Sequence, residues 1–168
     1  MPNFRYISWS EYGNLAAALA EKIRASGKHY DLVVGIARGG IPVAMAVADH
    51  LNVKIDFVNV KSYTDYGKRT PPRILSTLTE GIEGKDILLV DDLVDQGDTL
   101  ASMKKYLGDQ KPRTLDAAVM FKKPWSKEEP VYYLETVTEW IVFPFELGEA
   151  ARKRAEIEAG ERKPAAAA

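Results

Sequence analysis

The sequence predicts an α/β fold: a parallel sheet with helices packed on both faces, three layers in all. Three observations carry that expectation. Apolar, strand-like runs alternate with helical patterns along the chain. One run, Ile87-Leu88-Leu89-Val90, holds four consecutive large apolar residues, the mark of a strand buried on both faces. Two strand candidates lead through glycine-containing turns into helices, at Ala37–Gly40 and at Asp95–Thr99. With 168 residues and no repeat or linker, the expectation is one domain over 1–161 and a flexible tail at 162–168.

Each element follows from its local pattern. Ser8 and Glu11 have capping-box spacing, Leu15, Leu19 and Ile23 line one face, and Gly27 supplies a stop, so 8–27 reads as a helix. Asp31–Ile36 is a short apolar strand. After Arg38-Gly39-Gly40, Pro42 opens a helix of small residues that ends near Leu51. Val53–Val60 is a second strand. From Lys61 to Leu78 the periodicity fails in a long basic stretch, and loops of that length in compact domains are lids or disordered segments. A turn around Gly81 and Gly84 leads into the Ile87 strand, which should end at Asp91-Asp92. Thr99–Leu107 is a helix with Leu100, Met103 and Leu107 on one face, and Leu115–Phe121 is the next strand. Lys122–Pro130 reads as a loop, Trp140–Phe143 as a short apolar segment, and 152–161 as a charged helical tail.

Composition narrows the function classes. The chain is 46% hydrophobic and 28% charged, an ordinary globular mix. A net charge of -1 supplies no basic field for nucleic acid or anionic membrane. Cysteine is absent, which removes disulfides, thiolate metal sites and cysteine nucleophiles. No apolar run is long enough to span a bilayer, and the first residues carry no signal pattern, so a cytoplasmic location is expected. His29 and His50 lack metal-ligand spacing and read as ordinary helix-end or surface residues.

Chemistry concentrates after the Ile87 strand. Two adjacent carboxylates, Asp91 and Asp92, cannot be buried unpaired, so they belong at the carboxyl end of the strand. The following Asp95-Gln96-Gly97-Asp98-Thr99 turn opens a helix, where backbone N–H groups and the helix dipole hold anions. Carboxylates beside such a turn suit hydroxyls or a hard metal ion, and in open α/β sheets ligands bind at that edge. The Gly35–Gly40 segment has the place of an anion loop without P-loop chemistry, because Ile41-Pro42 stands where Lys-Ser/Thr is required. That excludes the ATPase reading. Alone, the segment is equally compatible with a structural turn.

The run Val90-Asp91-Asp92-Leu93-Val94-Asp95-Gln96-Gly97-Asp98-Thr99 resembles the phosphoribosyl-diphosphate (PRPP) signature of type I phosphoribosyltransferases. With Lys61-Ser62-Tyr63, Phe121-Lys122-Lys123-Pro124-Trp125 and Trp140–Glu146, the likeness extends over roughly residues 8–147, nearest to the xanthine–guanine and hypoxanthine–guanine enzymes. It implies a Rossmann-like core with a small hood from N-terminal residues and about 122–147. It implies transfer of phosphoribose from PRPP to a 6-oxopurine, with Mg²⁺ required and a homo-oligomer, dimer or tetramer, as the working form. Arg38, Gly39 and Gly40 would hold the pyrophosphate, with the Ala37–Arg38 peptide cis. Asp91 and Asp92 would take the ribose hydroxyls or the metal, to which Glu146 would also bind, standing where relatives carry Asp. Asp95, Gln96, Gly97, Asp98 and Thr99 would cradle the 5′-phosphate. Gln96 departs from the family's Thr, so its side-chain contact is open while the backbone contact is not. Asp95 would serve as acid/base at purine N7. Lys61, Ser62 and Tyr63 would begin a lid over about 62–78. Lys123, with Lys122 the alternative, would donate to purine O6, Trp140 would stack on the base, and the Ile141 carbonyl would read its edge. Two alternatives stay open: a PRPP- or nucleotide-binding regulator of the same fold, and an enzyme for another base.

Overall fold

The structure is a computed structural model, and it describes residues 3–61, 64–65, 68–69 and 72–158. Ten strands and four helices follow one another in these residues: β1 (Phe4–Tyr6), α1 (Trp9–Ala25), β2 (Leu32–Ala37), α2 (Gly40–Leu51), β3 (Lys54–Lys61), β4 (Thr64–Asp65), β5 (Lys68–Arg69) and β6 (Arg73–Ile74); then β7 (Asp86–Val94), α3 (Asp98–Gly108), β8 (Thr114–Lys122), β9 (Tyr132–Thr136), β10 (Trp140–Val142) and α4 (Leu147–Glu158). Six strands form the main sheet in the order β6-β3-β2-β7-β8-β9. All its pairings are parallel except β3 with β6.

The sheet is the middle of three layers, as its pattern predicts. Leu88 and Val90 of β7 pack with Val33 of β2 against α1 and α2. Their neighbours Ile87 and Leu89 point the other way and pack with Leu100, Met103 and Leu107 of α3. All four β7 residues are fully buried, each contributing roughly 1.5–3 kcal/mol of hydrophobic stabilisation. The start of α1 follows its local signal. The Ser8 hydroxyl caps α1 by accepting from the Glu11 N–H at 3.1 Å.

Several elements depart from the sequence reading, and each departure has a partner behind it. β1 is three residues long and carries no readable period, but it pairs in parallel with β10, Phe4 opposite Trp140. Arg5 ties it down by ion pairs to Glu135 at 2.6 Å and Glu11 at 3.2 Å. β9 extends the sheet beyond β8 and was not predicted, because an edge strand buries only part of itself. The predicted irregular stretch after Lys61 contains an antiparallel β4–β5 pair and edge strand β6. α4 begins at Leu147, five residues before the predicted 152, because Ala150 is buried against the rest of the molecule. Ser62 and Tyr63, and the predicted tail at 162–168, lie outside the described residues.

Candidate active site

The site forms where β2 ends and β7 does not. β2 pairs with β7 as far as Gly35 opposite Val90, whereas β7 runs beside β8 to Val94 opposite Lys122. The strand therefore does not end at Asp91-Asp92, as its sequence suggests, but carries both carboxylates within it. β8 continues the ladder on one side, and β2 turns away at Arg38 on the other, so both side chains stand half-buried in a notch. Asp91 accepts from the Asp92 N–H at 3.0 Å.

The Arg38–Gly40 turn fills the notch, and the Ala37–Arg38 peptide is cis. Its two glycines are demanded by proximity. A Cβ at Gly40 would sit 2.7 Å from the Val90 carbonyl oxygen, and one at Gly39 would strike the Asp92 carboxylate, with its Cγ 2.8 Å away. The turn and the acid pair are thus in direct contact, as their separate motifs could not reveal. Burial, then Glu146, pushes the Asp91 carboxyl up to about 7. Burial, then Asp91 and Glu146, pushes Asp92 well up too. Glu146 itself is raised by burial and by Glu149, while Lys153 and Arg38 pull it down.

Tyr12 is a site residue that sequence reasoning missed. It is a buried α1 core position by pattern, yet its hydroxyl has no hydrogen-bond partner among the described residues and feels Asp92, Asp91 and Glu146. Only the helix's placement over the notch marks it.

On the other side of the acid pair, the Asp95–Thr99 turn opens α3. Gly97 adopts φ 94°, which favours glycine, and a Cβ there would lie 2.9 Å from the Glu128 nitrogen. No side chain caps α3 at Gly97. Thr99 Oγ1 is buried without a partner among the described residues, at a cost of about 1–3 kcal/mol for an unsatisfied polar group. It lines a small cavity with Asp91, Val94, Asp95 and Gly97. An orphan hydroxyl, an uncapped helix start and a cavity together fit a polyanion such as phosphate. Gln96 is half-buried and Asp98 exposed in this turn.

Beyond it stand the lysines. Lys123 is only 7% exposed, and its ammonium donates to the Glu139 carbonyl and stands 5.6 Å from the Trp125 ring centroid. Burial lowers its pKa, with Asp95 and Glu139 acting against that. Trp125 Nε1–H donates to Asp95 at 2.7 Å. Lys122 instead pairs with Glu129 at 2.5 Å and lies over Tyr133. Of the two lysines, Lys123 is the one beside Asp95. Trp140 starts β10 and carries Lys153 of α4 over its ring at 4.7 Å, with Lys153 held by Glu149 at 2.8 Å. Ile141 is buried next to it. Lys61 ends β3 opposite Arg73. Among the described residues, no three His, Asp or Glu side chains converge into a metal cage, so Asp91, Asp92 and Glu146 do not form a closed three-ligand set.

This geometry has counterparts. Residues 8–152 match the model of the phosphoribosyl transferase domain. The chain belongs to the phosphoribosyltransferase family. The xanthine-guanine phosphoribosyltransferase of Cereibacter sphaeroides is 32% identical over 150 residues, covering 84% of this chain and 86% of that protein. That of Ruegeria is also 32% identical, over 154 residues and 84% and 85% of the two chains. A purine phosphoribosyltransferase from Pyrococcus horikoshii superposes with a TM-score of 0.77 at 29% identity, over 85% of this chain and 93% of its own. A hypothetical protein from Neisseria gonorrhoeae, solved with bound ppGpp, superposes with a TM-score of 0.78 at 26% identity, over 95% and 98%. The family's sheet and its transfer chemistry therefore apply to this phosphoribosyltransferase, a glycosyltransferase by reaction class. Among the described residues, no helix is long and apolar enough to cross a membrane.

Proposed function

We propose that this phosphoribosyltransferase joins a 6-oxopurine (guanine, xanthine or hypoxanthine) to PRPP, releasing pyrophosphate and the nucleoside 5′-monophosphate in purine salvage. One observation carries the reading. The acid pair of β7 stands between the Arg38–Gly40 turn on one side and the Asp95–Lys123 pair on the other, so a ribose placed at the acids has an anion site and a base site flanking it. The names of the relatives point to purines, xanthine and guanine among them.

Each residue then has a task. Arg38, with the N–H groups of Gly39 and Gly40, holds the departing pyrophosphate and stabilises its growing charge. Asp91 and Asp92 hold the ribose hydroxyls. The Asp95–Thr99 turn binds the 5′-phosphate, whose oxygens satisfy Thr99 Oγ1. Asp95 handles the proton at purine N7 while N9 attacks C1. Lys123 donates to O6 and rejects a 6-amino base, since an ammonium cannot accept a hydrogen bond. Trp140 and the Ile141 carbonyl locate the base, and Lys61, Ser62 and Tyr63 take the role of the lid's first residues.

Mg²⁺ fits the donor set, because two crowded carboxylates without a closed cage suit a hard cation that keeps waters and takes substrate oxygens. Asp91 and Asp92 would hold it, with Glu146 near. When bound, it supplies charge neutralisation at the pyrophosphate. The paired β1 and β10 serve as the hood of a single domain. The enzyme works in the cytoplasm as a dimer or tetramer.

Pyrophosphate release with Mg²⁺-PRPP and guanine, xanthine, hypoxanthine, adenine or uracil tests the proposal. Turnover is expected with the three oxopurines and none after EDTA; preference for adenine or uracil would refute the base assignment. A nucleotide-binding regulator is a second reading, favoured by the gonococcal protein's bound ppGpp. Tight ppGpp binding with no turnover on any base would select it.

A further inference from the structure

Trp125 touches both polar groups at the base end of the site. Its indole N–H donates to Asp95 Oδ1 at 2.7 Å, and its ring takes the Lys123 ammonium 5.6 Å from the centroid. An indole N–H can only donate, so a carboxylate is its natural partner, and a hydrogen bond to a charged acceptor is among the stronger kinds. The Asp terminal torsion is soft, and a fixed donor on one oxygen sets the plane in which the other lies.

Packing does not account for the ring's place, because Trp125 is 46% exposed. The loop that carries it is pinned on both sides. The Lys127 N–H donates to the Gln96 carbonyl at 3.1 Å, and the Ser126 N–H to the Lys123 carbonyl at 3.1 Å. Glu128 presses on Gly97 and pairs with Lys104 of α3 at 2.7 Å. The indole is thus delivered to Asp95 by a segment clamped to the turn that Asp95 begins.

We propose that Trp125 is a positioning residue: it fixes the Asp95 carboxylate and the Lys123 ammonium relative to one another, so that N7 and O6 of one purine ring meet both. The inference rests on the acid/base role proposed for Asp95.

The test uses the full chain with Mg²⁺-PRPP and guanine. Trp125→Phe keeps a ring for Lys123 and removes the donor; kcat should fall about tenfold or more, the effect of losing a hydrogen bond to a charged group. The KM for PRPP should stay within about twofold, since the phosphate and ribose groups are untouched. Trp125→His restores an N–H and should recover most of the rate. In an Asp95→Asn background, Trp125→Phe should add less than about twofold, because the two act as one unit. A wild-type kcat for Trp125→Phe, or an undiminished loss in the Asp95→Asn background, would overturn the positioning role. So would a lowered thermal midpoint together with weaker PRPP binding by calorimetry, which would mark Trp125 as loop packing. Wild-type turnover by Asp95→Asn alone would instead sink the acid/base reading, and the two failures are thereby distinct.

Discussion

Gly39 and Gly40 are neighbours with different jobs, and alanine separates them. A Cβ at Gly40 meets backbone, the Val90 carbonyl, which cannot move without disturbing β7; Gly40→Ala should cost roughly 1–3 kcal/mol of stability, the range for overpacking, visible in urea unfolding. At Gly39 the obstacle is the movable Asp92 carboxylate, so Gly39→Ala should keep its thermal midpoint and lose PRPP affinity. Equal stability losses in the two variants would contradict this division. Lys123 and Lys122 separate in the same way. Lys123→Ala should raise the KM for guanine and hypoxanthine with little change for PRPP, while Lys122→Ala, whose ammonium is engaged by Glu129 and Tyr133, should not. The opposite outcome in initial-rate kinetics would exchange their roles.

At the level of elements, α4 is the surprise. Its sequence reads as a charged helical tail only from 152, but the helix begins at Leu147 and its first turns place Glu149 and Lys153 at the edge of the site. Lys153 covers one face of Trp140, and Arg38 helps hold the Glu149 carboxyl below its ordinary value, after Lys153. A cation over an indole contributes about 0.5–2 kcal/mol, so Lys153→Ala should loosen Trp140 and raise the KM for the base about threefold or more. The PRPP KM should not follow. An unchanged base KM would take α4 out of base binding. The 123–130 loop carries a similar lesson, since it ties the end of β8 to α3 through Glu128, which lies against Gly97 and pairs with Lys104 in the body of the helix.

For the whole molecule, the acid pair sets a conflict between site and stability. A carboxyl whose folded pKa is raised holds its proton more tightly folded than unfolded. Its stabilising contribution is therefore complete at low pH and lost as the pH rises from about 4, the unfolded value. The loss ends near about 7, where burial and Glu146 have pushed Asp91. With EDTA present, the wild-type thermal midpoint should fall between pH 5 and 8. Asp92→Asn should remove part of that fall, being more stable than wild type at pH 8 and closer to it at pH 5, though inactive. A flat profile in the wild type would mean that the carboxyls titrate normally. The two buried faces of the sheet carry the opposing, pH-independent stability.

Local patterns determined what depends on near neighbours in the chain. The β7 run, the Ser8–Glu11 cap, the Leu100, Met103 and Leu107 face of α3 and the order of strands and helices were all legible, because burial on one face or two imposes a period. The site's expected chemistry came from the likeness of the 90–99 run to a family signature, since the acids or the Gly39–Gly40 turn taken alone are as compatible with solvated or structural roles. Contacts between distant segments were decided only by the tertiary structure. β1 and β10 are too short to announce themselves and exist through one another, and β6 and β9 are edge strands only partly buried. The extension of β7 past its carboxylates depends on β8 outlasting β2. Tyr12 over the acid pair, Trp125 on Asp95 and Lys153 on Trp140 join residues 30 positions or more apart, or cross from helix to strand, and no pattern along a chain encodes such an approach.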